Sequence, residues 1–362
     1  MRVAFVHDYL TQLGGAERVF LQLRELYPEA PVYTSLYDRE AMGPAFEGLD
    51  IRTSWLQKIP GATKRFREML PLYPQAFDSF DLSAYDLVIS STTSFAKGVS
   101  VAQRALHVSY VNTPTRFIWY PDEYAFEVTP LLARPALRAA LPALRHWDYS
   151  AAQRPHRLIA NSRNVAARIK QCYGRASDVV PCPVDVERFA PSDRVGDCYL
   201  AVARLLPYKR IELAIKACNM LGAPLIIVGD GPDEPRLREI AGPTIRFAGT
   251  VGDDARRQLF AQARAVIVPG IEDFGLVALE AAASGRPTIA LAAGGSLETV
   301  VEGETGTFFD EPTPESLAAA MRAFVPESFS RSRLLAHAAQ FSPARFRERM
   351  RALIERYLTE RR

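Results

Sequence analysis

Short apolar runs alternate with stretches of helical periodicity along the whole chain. Residues 3–6 are an unbroken apolar run, the pattern of a buried strand, and further strands are predicted at 32–36, 87–90, 106–111 and 158–160. The first of them leads through a glycine-bearing turn at 8–15 into an amphipathic helix at 16–26. A second series of strands is predicted at 199–202, 225–228, 245–248, 265–268 and 288–291, with helices at 211–221, 255–263, 276–284 and 314–324. Strand and helix in alternation predict the α/β class, with doubly wound parallel sheets covered by helices on both faces. Pro181, Pro183 and Pro191, with the polar run Ser192-Asp193-Arg194, interrupt the periodicity between the two series. The expected domains are 1–187 and 188–340. A charged amphipathic helix at 343–360, within a terminal segment 341–362, is expected to pack back on the first domain.

Length supports two domains, because 362 residues exceed the roughly 250–300 at which one core stops growing. Lys and Arg total 44 against 41 Asp and Glu, a net charge of +3 that gives no reason to expect a nucleic-acid partner. No uncharged run approaches the ~18 residues of a membrane span. The apolar run at the N-terminus is too short for a signal-peptide core, so a cytoplasmic location is expected. Cys172, Cys182, Cys198 and Cys218 form no Cys-x-x-Cys pair and are read as reduced, mostly buried thiols.

The densest candidate chemistry lies at 268–287. A buried strand runs through a polar turn containing Glu272, Asp273, Phe274 and Gly275 into an Ala-rich helix that carries Glu280. Unpaired N–H groups and the positive end of the helix dipole make such a turn a seat for an anion or for sugar hydroxyls. Glu272 in the turn and Glu280 just over one turn into the helix could border one elongated ligand. Taken alone, the same acids could be a solvated side chain and a favourable charge near a helix start. Arg204 and Lys209 follow the strand at 199–202 and could hold a diphosphate, Arg by a bidentate grip and Lys as a point charge; a pair of surface cations is the plainer alternative. Gly14 and Gly15 lie in the first strand-to-helix turn, where the lack of a Cβ permits close approach to a ligand. They do not form a Gly-x-Gly-x-x-Gly fingerprint. The run Val228-Gly229-Asp230-Gly231-Pro232 reads as a tight turn without a ligand role.

At these residues the sequence resembles the retaining glycosyltransferases of GT-B fold known as family 4. The resemblance covers nearly the whole chain. It includes Gly14-Gly15-Ala16-Glu17, Pro114-Thr115-Arg116, Ala160-Asn161-Ser162, Val202-Ala203-Arg204-Leu205 with Lys209, Val228 to Pro232, and Gly294-Gly295-Ser296-Leu297-Glu298. The chain is most similar to the branch containing mannosyltransferases of bacterial surface-polysaccharide assembly. The resemblance implies two Rossmann-like domains facing across a cleft. It also implies transfer of a hexose, mannose in that branch, from a nucleotide-diphosphate sugar to a saccharide or lipid-linked saccharide.

Residue by residue, the resemblance puts Glu272 on the transferred sugar near its 3-hydroxyl and Glu280 on the ribose. Backbone amides of Phe274, Gly275 and Leu276 would lie on the sugar and phosphate, and Val251 near the nucleobase. The turn at Gly14 and Gly15 would close over the donor phosphate and border the acceptor. The chain lacks an Asp-x-Asp motif, so no metal cofactor is expected, with Arg204 and Lys209 meeting the charge that develops on the diphosphate. Relatives commonly carry His where this chain has Asn112. An amide cannot exchange a proton near neutral pH, so Asn112 is assigned to sugar positioning, and the departing phosphate is expected to take the acceptor proton. His7 lies nearby in the family topology and reads equally well as a structural histidine.

Residues 55–67 concentrate Trp55, Lys58, Lys64, Arg65, Phe66 and Arg67. They read either as a solvated basic face or as a surface for peripheral contact with an anionic membrane on its inner face. Trp119, Tyr120, Tyr124 and Phe126 could form an aromatic acceptor platform or ordinary core, and 131–149 reads as an amphipathic structural helix. Two other functions compete with transfer, a nucleotide-sugar epimerase and a catalytically silent nucleotide-sugar-binding protein.

Overall fold

The structure, a computed structural model, describes residues 1–124, 129 and 134–361. The chain divides into two compact units. The first comprises Met1–Pro121, Thr129–Pro181 and Phe346–Arg362, and the second Asp122–Val128 and Cys182–Arg345. The helix Pro343–Glu360 therefore belongs, from Phe346 on, with the first unit.

The first unit holds seven parallel strands: β1 (Val3–His7), β2 (Val32–Thr34), β3 (Ile51–Thr53), β4 (Leu87–Thr92), β5 (Leu106–Val111), β6 (Arg157–Ala160) and β7 (Asp178–Val179). Their order in the sheet is β3-β2-β1-β4-β5-β6-β7. The second unit holds six: β8 (Tyr199–Val202), β9 (Leu225–Val228), β10 (Ile245–Gly249), β11 (Val266–Val268), β12 (Thr288–Leu291) and β13 (Gly306–Phe309), in the order β10-β9-β8-β11-β12-β13. Each sheet is laid down outward from its first strand and then outward on the other side. That creates a switch point between β1 and β4 and another between β8 and β11. At such points the connections diverge, and open α/β sheets bind ligands beyond the carboxyl ends of the strands.

Why these runs form strands buried on both faces is visible in the second core. Ala201, Ile227, Ile267 and Ile289 pack on one face of the sheet, against Ile211, Ala214 and Ile215 of the helix Ile211–Leu221. Their neighbours Leu200, Val228, Val266, Val268 and Ala290 pack on the other, with Phe260 and Ala281. The period of two thus divides one continuous apolar run between two cores. The first unit's helices start from ordinary signals; Ser162, for example, accepts the Val165 N–H and caps the helix Arg163–Tyr173. The four cysteines are thiols; Cys172, Cys182 and Cys218 are buried and Cys198 is half-buried. Among the described residues no helix is long and apolar enough to cross a membrane.

Candidate functional site

In the second unit the turns after β8, β9, β11 and β12 interlock through glycines. A Cβ on Gly270 would lie 2.8 Å from the carbonyl oxygens of Tyr208 and Lys209, so only glycine lets the chain leaving β11 pass the Lys209 turn. A Cβ on Gly295 would lie 2.5 Å from the backbone of Phe274. The Gly295 N–H donates to the Glu272 carbonyl at 2.8 Å, and Gly294 pairs with Glu272 as an isolated bridge. The run 228–232 plays the same part beside β8, because a Cβ on Gly229 or Gly231 would collide with the carbonyl of Ala203 or Leu205.

This packing delivers Lys209 to Glu272. The Lys209 Nζ donates to both carboxylate oxygens, at 2.7 and 2.8 Å, and each side chain is 17% exposed. Lys209 ends a one-turn 3-10 helix (Pro207–Lys209). Arg210 follows in the left-handed region at φ 55°, the one non-glycine residue with positive φ among those described. Arg204 lies half-buried in the same turn after β8. Gly275, at φ 102°, starts the helix Leu276–Ala283 without a side-chain cap. Ala278 takes its N–H back to the Gly275 carbonyl, and Leu276 and Val277 are half-buried. Phe274 is buried, edge-on to Phe341.

Glu280, the fifth residue of that helix, does not share the Lys209 pair. It pairs with Arg256 of the helix Asp253–Gln262 at 2.5 Å. The Arg256 guanidinium lies over the Phe260 ring, and its Nε is buried without a partner. Val251 packs half-buried at the edge of the same core, just after Thr250, whose hydroxyl bonds the Asp230 carboxylate. Arg256 was not singled out from the sequence. Its signal is a cation one turn beyond the loop that follows β10. Among the described residues no group of three or more His, Cys, Asp or Glu is placed to hold a metal.

In the first unit Gly14 precedes the helix Gly15–Arg24, and its N–H donates to Glu17 at 2.7 Å; a Cβ on Gly14 would lie 2.9 Å from that carboxylate. The other Glu17 oxygen is 3.5 Å from His7 Nε2, while His7 Nδ1 is buried without a partner. Asn112 opens the turn after β5. Its Nδ2 donates to Ser91 Oγ at 3.2 Å and the Thr92 carbonyl at 3.4 Å, and its own carbonyl accepts from Asn161 at 2.8 Å. Asp8, at the end of β1, accepts backbone N–H groups from Thr93, Ser94, Phe95 and Ala96 and so orders the turn after β4. The role of Asp8 passed unmarked in the sequence, where an Asp after a strand is ordinary.

Several aromatic and basic side chains sit otherwise than as a shared surface. Trp119 donates its indole N–H to Asp148, and Tyr120 packs against Cys172 beneath Arg168. Tyr124 is tilted against Tyr208, and Phe126 lies outside the described residues. In the basic segment Trp55, Lys58, Lys64, Arg65 and Arg67 are exposed, but Phe66 is buried against Tyr9. Lys97, the next lysine along, is fully buried and adds nothing to that surface.

Two doubly wound sheets with switch points, and a lysine-carboxylate pair beside an uncapped helix start, define an α/β protein with a charged candidate site in its second unit. The comparisons identify it further. The Glycosyltransferase Family 4 profile matches residues 13–188 and the Glycosyl transferases group 1 profile matches 193–341, between them nearly the whole chain. The protein is a glycosyltransferase of GT-B fold, of the group 1 and family 4 kind. The D-inositol 3-phosphate glycosyltransferase of Mycolicibacterium paratuberculosis is 29% identical over 335 residues, 78% of this chain and 76% of that one. The protein of the same name from Geodermatophilus obscurus is 32% identical over 204 residues, 46% of this chain; the chain spans 45% of that relative's length. Among solved structures, Anabaena HepE in complex with UDP-glucose superposes with a TM-score of 0.73 at 19% identity, covering 98% of this chain and 100% of that one. Sucrose-phosphate synthase from Thermosynechococcus elongatus gives 0.74 at 17% identity, covering 99% of this chain and 100% of that one.

Proposed function

We propose that the protein moves a hexose from a nucleoside-diphosphate sugar to a hydroxyl of a polyol or saccharide acceptor, with retention of configuration and without a metal. The observation that carries this reading is the Lys209–Glu272 pair beside the uncapped start of the helix Leu276–Ala283. Lys209 and Arg204 meet the diphosphate, and Glu272 accepts from the sugar hydroxyls. The N–H groups at Phe274, Gly275 and Leu276 point charge at the same ligand. Glu280, steadied by Arg256, accepts from the ribose. Gly14 and Gly15 border the donor phosphate and the acceptor, and Val251 the base. In the reaction the bond from the anomeric carbon to the phosphate oxygen breaks, and the acceptor oxygen bonds on the same face. Its proton passes to the departing phosphate oxygen, a step that asks nothing of an imidazole, while Asn112 orients the sugar.

The names of the relatives favour D-inositol 3-phosphate as first acceptor, and HepE's ligand favours UDP-glucose as first donor. Resemblance to mannosyltransferases of surface-polysaccharide assembly adds GDP-mannose and lipid-linked saccharides. Nucleotide release from UDP-glucose and GDP-mannose, with and without D-inositol 3-phosphate, tests the reading, with NMR of the anomeric centre of the product. Acceptor-stimulated release with a retained anomer supports it. Binding without release, or release of an epimerised sugar alone, refutes it. The exposed Trp55 and the cations at 58, 64, 65 and 67 support peripheral contact with the anionic inner face of the membrane. Flotation with phosphatidylglycerol vesicles and not with neutral ones is expected.

A further inference from the structure

Asp148 lies in the helix Arg134–Gln153 on the stripe of buried residues Leu141, Ala151 and Ala152, and has no exposed surface. Each of its bonds leaves that helix. One oxygen accepts from Lys97 Nζ at 2.5 Å and from Thr115 Oγ1 at 2.7 Å. The other accepts from Trp119 Nε1 at 2.7 Å and from the Tyr173 hydroxyl at 2.9 Å. Lys97, itself buried, also donates to the Ser94 carbonyl and to Thr115 Oγ1. One carboxylate thereby joins the turn after β4, the turn after β5 and the end of the helix Arg163–Tyr173.

Thr115 is three residues from Asn112, and Pro114 between them limits the backbone of the run. Asn112 is held at its own end by Ser91 and Thr92. The segment carrying Asn112 is therefore fastened at both ends, one end by Asp148. A buried ion pair is a weak source of stability, since well-packed apolar residues of similar volume are often as good or better. Its distinct contribution is directional, because four donors aimed at one carboxylate fix four side chains in a single arrangement.

We propose that Lys97 and Asp148 are positioning residues for sugar transfer. They hold residues 112–119 in the conformation that presents Asn112, and they take no part in nucleotide binding. The proposal rests on the reading above in which Asn112 orients the sugar. Its test is the double variant Lys97→Met/Asp148→Leu, with Thr115→Val and Trp119→Phe as milder variants that each delete one donor to Asp148. Three quantities are read: affinity for UDP and GDP, amide hydrogen exchange across 112–119, and nucleotide release from UDP-glucose and GDP-mannose with D-inositol 3-phosphate. The expected result is a folded protein with nucleotide affinity within twofold of the parent. Exchange across 112–119 is at least tenfold faster, and turnover at least tenfold slower at unchanged donor KM. Parental exchange and turnover within twofold in a folded variant overturn the proposal. Should the double variant not fold, the two milder ones decide by the same readings. A parent without turnover refutes the reading of function, and the exchange comparison still decides whether the pair holds the segment.

Discussion

Replacing Glu272 by Gln is expected to separate nucleotide binding from turnover. In the unliganded protein the Lys209 charge is shared with both Glu272 oxygens, at 2.7 and 2.8 Å. At an effective dielectric of about 20 that attraction amounts to about 6 kcal/mol, most of it offset by desolvation. A charge-assisted hydrogen bond nets about 1.5–3 kcal/mol, and the residual exposure of this pair argues for the lower end. Glutamine keeps the volume and removes the charge, so Lys209 can give more to an incoming diphosphate. Glu272→Gln is expected to tighten UDP or GDP binding about three- to tenfold, because roughly 1 kcal/mol of competition is lifted. Turnover is expected to fall about a hundredfold or more, the typical effect of losing one group that stabilises a transition state. Glu280→Gln should instead weaken nucleotide binding about tenfold, since an uncharged amide accepts ribose hydroxyls less strongly. Isothermal titration with the free nucleotide and initial rates on the same preparations make the comparison. Equal losses of nucleotide affinity in the two variants would refute the division of labour between the two acids.

Three further outcomes are expected. Gly275→Ala forces a Cβ to within 2.6 Å of Thr299 Oγ1 at φ 102°, whereas Gly222→Ala, at φ 62°, meets open space; urea unfolding should show Gly275→Ala costing about 1–3 kcal/mol, and more than Gly222→Ala. Burial holds His107 at about 3, below its ordinary 6.5, so the unfolded chain binds a proton there that the folded chain refuses, and stability is lost as pH falls from about 6.5 towards 3. His107→Gln should flatten the stability curve between pH 6 and pH 4 by about 1 kcal/mol per pH unit, and a slope equal to that of the parent would count against a neutral His107. Burial pushes the Cys218 thiol up to about 12 and leaves Cys198 the one cysteine that is not buried, so Ellman's reagent should titrate a single thiol in the native protein and four in denaturant.

The strands legible in the sequence are those whose residues serve two cores at once, such as β8 and β12. The strands it concealed lie at sheet edges or are very short. β3 carries Arg52 at its centre and pairs with β2 alone, β7 has two residues, and β13 begins with Gly306 against the β12 backbone. The acids of the β11 turn were legible because strand, glycine and helix follow one another within ten residues. Arg256 and Asp148 were not, because their partners lie 24 residues away in one case and up to 51 in the other. For Asp148 a signal did exist: a carboxylate on the apolar stripe of a helix must find partners for its charge.

The longer of the second unit's two pieces enters at Cys182 and leaves at Arg345, and the Val184 N–H donates to the Phe341 carbonyl at 2.8 Å. Its two ends are therefore stitched side by side, like the neck of a purse. A piece of chain closed in this way can be cut out and grafted through two neighbouring crossings, so Cys182–Arg345 can be exchanged as one cassette.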